Sequence, residues 1–192
     1  MTVKLIRFKE EHAPRVGEIF RSAFAPYAKS NGGVYPDELV RDWMNWSMDP
    51  KVIIKEFKDE RVKLLLAQID GRIVGTFGYA PGSMEGRLDF AKIRWVLVTP
   101  EFQGFGVGKR LHDASMEEIW KEGYLRQYVY VAPLAHGFYE KMGWAHNPEF
   151  DVFSEKYPYD PVLQERINAL CQHVGRGIQK PLTGFFFEKR ES

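Results

Sequence analysis

Val96-Leu97-Val98-Thr99-Pro100-Glu101-Phe102-Gln103-Gly104-Phe105-Gly106-Val107-Gly108-Lys109-Arg110-Leu111 decides how this chain folds and what it can hold. An apolar run ends at Val98, Pro100 marks a turn, glycines stand at alternate positions, and a helical pattern begins near Val107. Gly104, Gly106 and Gly108 carry no Cβ, so the backbone here can take positive φ and come close to a ligand. The helix start that follows adds unpaired N–H donors and a partial positive charge. Converging amides of this kind suit an anionic phosphate. Lys109 and Arg110 either add a cation or form a solvated helix face. A dinucleotide fingerprint wants Gly-x-Gly-x-x-Gly in an early βαβ unit, whereas these glycines are spaced by two throughout and lie mid-chain. A P-loop wants Ser or Thr after its Gly-Lys, and here Gly108-Lys109 is followed by Arg110. A plain glycine-rich turn is the bland alternative.

The pattern extends outward on both sides. Val3 to Phe8 predicts a strand, and Glu10 to Phe24 a helix with Pro14 in its first turn. Pro36-Asp37-Glu38 opens a second predicted helix, which Asp49-Pro50 closes. Val62 to Ile69 and Ile73 to Tyr79 flank Asp70-Gly71, a hairpin signal. Pro81-Gly82-Ser83 and Glu85-Gly86 predict a connection to the long strand Leu88 to Val98. Beyond the loop come a helix from Val107 to Glu122, a strand at Tyr128 to Val131, a helix from Pro133 to Met142 and a strand from Trp144 to Phe153. Val162 to Val174 predicts an amphipathic helix, and Leu182 to Glu188 a last strand. The element order defines an α/β class, a mixed α+β arrangement with helices over a sheet.

The chain has 192 residues, which fits one domain over residues 1–192. Its 44% hydrophobic and 28% charged residues are those of a globular protein with a substantial core. Formal net charge is only +1, which speaks against a nucleic-acid coat or a polybasic membrane binder. Cys171 is the single cysteine, so no internal disulfide and no multi-cysteine metal site is expected. There is no signal-peptide core before Arg7 and no long apolar run, so the expected compartment is the cytoplasm.

Val98-x-Pro100-x-x-Gln103-Gly104-x-Gly106-x-Gly108 resembles the acetyl-CoA pyrophosphate loop of the GNAT N-acetyltransferase superfamily, whose core is Arg/Gln-x-x-Gly-x-Gly/Ala. Phe138-Tyr139-Glu140-Lys141-Met142-Gly143-Trp144 is similar to the same superfamily's Tyr-Glu-Lys-Leu-Gly-Phe element. The resemblance implies a central, mostly antiparallel twisted sheet flanked by helices, with residues 154–180 as a helical insertion before the last strand. It implies acetyl-CoA as cosubstrate and N-acetyl transfer to a primary amine of a small molecule or peptide. In that frame the backbone of Val96, Leu97 and Val98 pairs with the pantetheine arm where two strands splay apart. The stretch Gln103, Gly104, Phe105, Gly106, Val107, Gly108 and Lys109 holds the pyrophosphate. Tyr139 protonates the departing thiolate, a role its O–H donor suits. The chain departs from the pattern at Ala132-Pro133, where many members carry an Asn seven residues before the tyrosine.

Amine acetylation needs a base. Lys92, Ile93, Arg94 and Trp95 supply no carboxylate, which leaves Asp89 as the candidate, with an exposed strand polar residue as the alternative. His112 and His136 are expected on helix surfaces. The resemblance puts the acceptor pocket at the first two helices, pointing to Tyr27, Tyr35 and Trp43, with Phe24 and Trp46 nearby and Asp37, Glu38 and Asp42 to attract a cationic amine. Aromatics at such spacing more often serve as core. The 162–174 helix could cover the pocket, pack on the sheet or make a homodimer contact. A non-catalytic CoA-binding or regulatory module of the same fold stays open as the competing function.

Overall fold

In a computed structural model, the chain is described over residues 2–32, 37, 40–41, 45, 49–84, 87–131, 133–146 and 183–188, apart from the side chains at 29, 83–84, 87–89, 133 and 183–188. The expected helix from Pro36, the far end of the Trp144–Phe153 strand, and the 154–180 insertion lie mostly or wholly outside these residues.

Seven strands form one sheet in the order β1-β2-β3-β4-β5-β7-β6. They are β1 Lys4–Arg7, β2 Lys63–Ile69, β3 Arg72–Met84, β4 Arg87–Val98, β5 Arg126–Val131, β6 Ala145–His146 and β7 Thr183–Glu188. Only β4 and β5 run parallel; the other neighbours are antiparallel. Among the described residues four α-helices of stated extent accompany them: α1 Ala13–Phe24, α2 Pro50–Glu56, α3 Val107–Lys121 and α4 His136–Lys141. Two buried clusters result. One includes Phe77, Ile93, Val107, Leu111, Ile119, Val129 and Tyr139, and so joins the sheet to α3 and α4. The other includes Val16, Ile19, Ile53, Leu66 and Leu97, and so joins it to α1 and α2.

The β2–β3 hairpin turns at Asp70 and Gly71, whose φ values of 48° and 79° match the twist of antiparallel strands. β3 then runs further than the sequence suggests. Pro81 continues it in register with Ala91 rather than ending it. The β2 ladder stops at Lys63↔Tyr79, so on that side of Pro81 no N–H is needed.

β4 carries the feature that shapes the site. Its register with β3 slips between Gly78↔Arg94 and Thr76↔Leu97, which places Trp95 and Val96 together opposite Phe77. This is a β-bulge. It reverses the side-chain alternation: Ala91 and Ile93 face the α3/α4 cluster before it, while Val96 and Val98 face the same cluster after it. The unbroken apolar run at the strand's end is the sequence trace of that switch.

The pair Asp49-Pro50 opens a helix, α2; the end of the expected helix from Pro36 lies outside the described residues. Asp49 is the N-cap of α2, its Oδ1 accepting from the Lys51 N–H at 2.9 Å, and Pro50 takes the first helical position. Proline needs no N–H there, and its fixed φ suits the first turn, so the dipeptide makes a helix start. Glu56, at the far end of α2, makes an ion pair with Arg94 of β4. Replacing Asp49 by Ala should cost about 0.5–2 kcal/mol of folding free energy. Urea unfolding checks this, and an unchanged midpoint would deny the cap.

Candidate active site

The β4–β5 ladder holds three pairs only, Phe90↔Arg126, Ala91↔Gln127 and Lys92↔Tyr128. β4 continues to Val98 and β5 to Val131, so beyond Lys92 the two strands part. The bulge lies within the parted region. Trp95 sits at φ 56°, a left-handed conformation that costs a side-chain-bearing residue about 1–2 kcal/mol. Two contacts hold it. The hydroxyl of Thr76, wholly buried, donates to the Trp95 carbonyl at 2.6 Å. The indole packs against Phe20 of α1 and Phe57 just after α2, with centroids at 5.3 and 5.6 Å.

The loop after β4 is built from its own backbone. A 3-10 turn at Pro100–Phe102 lowers the chain to Gln103, whose side-chain amide donates back to the Val98 carbonyl at 2.9 Å. Gly104 and Gly106 stand at φ 81° and 80°, and a Cβ on either would meet nothing within 4 Å. Gly106 is the N-cap of α3, and no side chain caps it. The first amides of a 15-residue helix are therefore left without a side-chain cap. Gly108 differs from its neighbours. It is helical, and a Cβ there would come within 3.0 Å of the Phe138 ring, so it lets α3 and α4 approach each other. Phe105 stands out to solvent between the two left-handed glycines. Lys109 is exposed, and its ammonium pairs with Asp113 one turn on.

Tyr139 lies at the third position from the end of α4. The Gly143 N–H bonds the Glu140 carbonyl and the Trp144 N–H bonds the Tyr139 carbonyl, each at 3.0 Å, with Gly143 at φ 85°. This is a Schellman stop, and the Tyr139–Trp144 ring contact at 5.5 Å is its accompanying apolar pair. The Tyr-x-x-x-Gly-Trp spacing is thus a helix terminator that fixes the tyrosine. Tyr139 is buried, and burial pushes its phenol far above the ordinary tyrosine range, with Tyr27 adding a smaller push in the same direction. Tyr27, half-buried and stacked on Phe24, is therefore brought near Tyr139.

Other expected residues are distributed differently. Tyr35, Trp43, Trp46, Glu38 and Asp42 lie outside the described residues. Asp37 is exposed and accepts from the Ser30 N–H at 2.9 Å. Asp89 stands on β4 just before the paired end, six residues ahead of Trp95; its side chain is outside the description. His136 is half-buried at the start of α4. His112 is not on a surface, as expected, but 6% exposed in the core. Its Nε2 accepts from the Trp144 indole N–H at 2.9 Å, and its Nδ1 lies 3.1 Å from Asp113 Oδ1. Phe77, Phe138 and Trp144 surround it. Helical spacing alone cannot reveal this, because the partner Trp144 is 32 positions away. The same holds for Thr76, whose partner Trp95 is 19 positions away. Among the described residues no group of three or more His, Cys, Asp or Glu could hold a metal, and no helix is long and apolar enough to cross a membrane.

Known proteins share this fold. The model of the acetyltransferase (GNAT) family matches residues 9–144, and the chain belongs to that family. Its fold is similar to the PaiA N-acetyltransferase of Thermoplasma acidophilum in complex with coenzyme A, with a TM-score of 0.73 and 14% identity over 98% of this chain and 100% of that one. A GCN5-related N-acetyltransferase from Rhodopseudomonas palustris gives 0.68 and 18%, over 98% and 97% of the two chains. A GNAT family acetyltransferase from Brucella melitensis in complex with acetyl-CoA gives 0.57 and 18%, over 75% and 83%. No curated protein sequence matches the chain.

Removing the Thr76 hydroxyl should leave the Trp95 carbonyl short of a partner in a dry site. Thr76→Val is expected to lose about 1–3 kcal/mol of stability and Thr76→Ser much less. Denaturant unfolding of the pair separates hydroxyl from methyl; equal losses would show that the hydrogen bond does not hold the bulge.

Proposed function

We propose that this chain is an acetyl-CoA-dependent N-acetyltransferase that acetylates a primary amine of a small molecule or peptide by direct attack. The observation that carries the proposal is the uncapped α3 N-terminus, entered through left-handed Gly104 and Gly106, beside the parted β4–β5 strands. The residues fit the carrier: space is open where Cβ atoms of Gly104 and Gly106 would stand, and the uncapped main-chain amides of the helix start suit a diphosphate. Acetyl-CoA supplies an acetyl group activated as a thioester.

The chain's own residues divide the work. The backbone from Gln103 to Lys109 holds the pyrophosphate. The backbone of Val96, Leu97 and Val98 orients the arm, with the Val98 carbonyl already accepting from Gln103. Main-chain N–H groups of β4 beyond Lys92 donate where negative charge develops. Tyr139 keeps its proton throughout the working pH range, because burial disfavours the phenolate, and gives that proton to the leaving sulfur. Tyr27, Tyr35 and Trp43 line the acceptor side. Asp89 is the candidate base, and kcat/KM unchanged in Asp89→Asn would remove it from that role.

Two outcomes follow. Tyr139→Phe should lower kcat by about 10²–10⁴-fold, with CoA affinity little changed. Because the phenol titrates above its ordinary value of about 10, wild-type kcat should show no alkaline loss from this group at lower pH. Thiol release from acetyl-CoA over an amine panel measures both. Tight CoA binding with no turnover on any amine would favour the non-catalytic module instead. Gly106→Val places a β-branched residue at φ 80°, which should weaken CoA binding by at least about tenfold. Calorimetry giving wild-type affinity for a folded Gly106→Val protein would move the diphosphate elsewhere.

A further inference from the structure

Behind the proposed site runs a chain of side-chain contacts that the reaction scheme does not use. Lys109, in the first turn of α3, pairs with Asp113. Asp113 Oδ1 faces His112 Nδ1 at 3.1 Å, and His112 Nε2 accepts from the Trp144 indole N–H at 2.9 Å. Trp144 in turn bonds the Tyr139 carbonyl through its main-chain N–H and packs on the Tyr139 ring. The tautomer follows from the partners. The indole is only a donor, so Nε2 is unprotonated; the carboxylate is only an acceptor, so the proton is on Nδ1. His112 is thus the neutral junction between the helix that begins at the loop and the residue that walls Tyr139.

We infer that His112 is a positioning residue for Tyr139, and that protonation of its Nε2 releases the Trp144 indole and loosens the tyrosine. This rests on the proposed role of Tyr139. An imidazolium has two N–H donors and no acceptor, so it would turn an N–H against the indole N–H. The charged groups facing the ring are Asp113 and Lys109 on its own helix. From β3, α4 and the segment after α4 come the uncharged rings of Phe77, Phe138 and Trp144. Burial pushes the imidazole down, and Asp113 offsets this only in part. The neutral junction is therefore complete at neutral pH and is lost as pH falls below the free-imidazole value of about 6.5.

The test follows the Tyr139 ring directly. In full-length protein labelled with ¹³C at the tyrosine rings, the Tyr139 resonance is assigned by its loss in Tyr139→Phe. In the wild type it should be unperturbed at pH 7.5 and move in a single acid transition below about pH 6.5. Gln can accept through its side-chain oxygen but does not titrate in this range, so His112→Gln should give the wild-type resonance without the transition. His112→Leu should displace the resonance at every pH. With acetyl-CoA and an accepted amine, His112→Leu should lower kcat about tenfold or more, leave KM for acetyl-CoA within about twofold, and be rescued to within about threefold by Gln. Should the leucine variant not fold, His112→Phe, which keeps an aromatic ring in the core but offers the Trp144 indole no acceptor, should displace the resonance in the same way. An unmoved Tyr139 resonance in the folded leucine or phenylalanine variant, a transition that survives in His112→Gln, or an unchanged kcat in His112→Leu would each overturn the inference. Tyr139 behaving as described in a protein that acetylates no amine would instead overturn the proposed activity and leave the positioning intact.

Discussion

The separation of β4 from β5 is the constraint on which the rest of the molecule depends. Parallel strands this close would ordinarily continue their ladder, since unpaired N–H and C=O groups are costly away from water. Here the ladder stops after Lys92↔Tyr128, and the bulge at Trp95 and Val96 bends β4 within the next few residues. The strained Trp95 backbone is held from two sides. Thr76 engages its carbonyl, and Phe20 and Phe57 take its ring into the α1/α2 cluster. The cost of the left-handed residue is opposed by the partial burial of its indole against Phe20 and Phe57.

From that opening the remaining parts follow by short-range geometry. β4 feeds the loop, Gln103 ties the loop back to Val98, and Gly106 starts α3 with its amides uncovered. Gly108 lets Phe138 sit against the first turn of α3, which draws α4 in. The Schellman stop at Gly143 then folds Trp144 over Tyr139. Loop and tyrosine belong to separate elements, yet both are anchored on α3, through Gly108 and through His112. The loop and the tyrosine thus share one support, α3.

Much of this was legible in the residues because it is local. The Asp70-Gly71 hairpin, the alternate glycines before Val107, the glycine stop at Gly143 and the last strand at Thr183–Glu188 each follow from the conformations their residues prefer within a few positions. The Asp49-Pro50 pair shows the limit of local signals: read along the chain as a stop, it is in the fold also the N-cap and first residue of a new helix. Pro81 shows another, since a proline is tolerated in a strand only where the neighbouring strand has already ended.

What the sequence by itself determined was the order of the seven strands and of α1, α3 and α4, the backbone character of the loop and the family to which the two motifs point. Only the tertiary structure decided that Trp95 is the bulge, that Gly108 serves packing whereas Gly104 and Gly106 serve the turn, and that His112 is a buried junction. Each of these depends on a partner distant in the chain: Thr76 for Trp95, Phe138 for Gly108 and Trp144 for His112. A side chain's hydrogen-bonding and packing partners are set when the sheet and helices assemble, and no periodicity along one element encodes them.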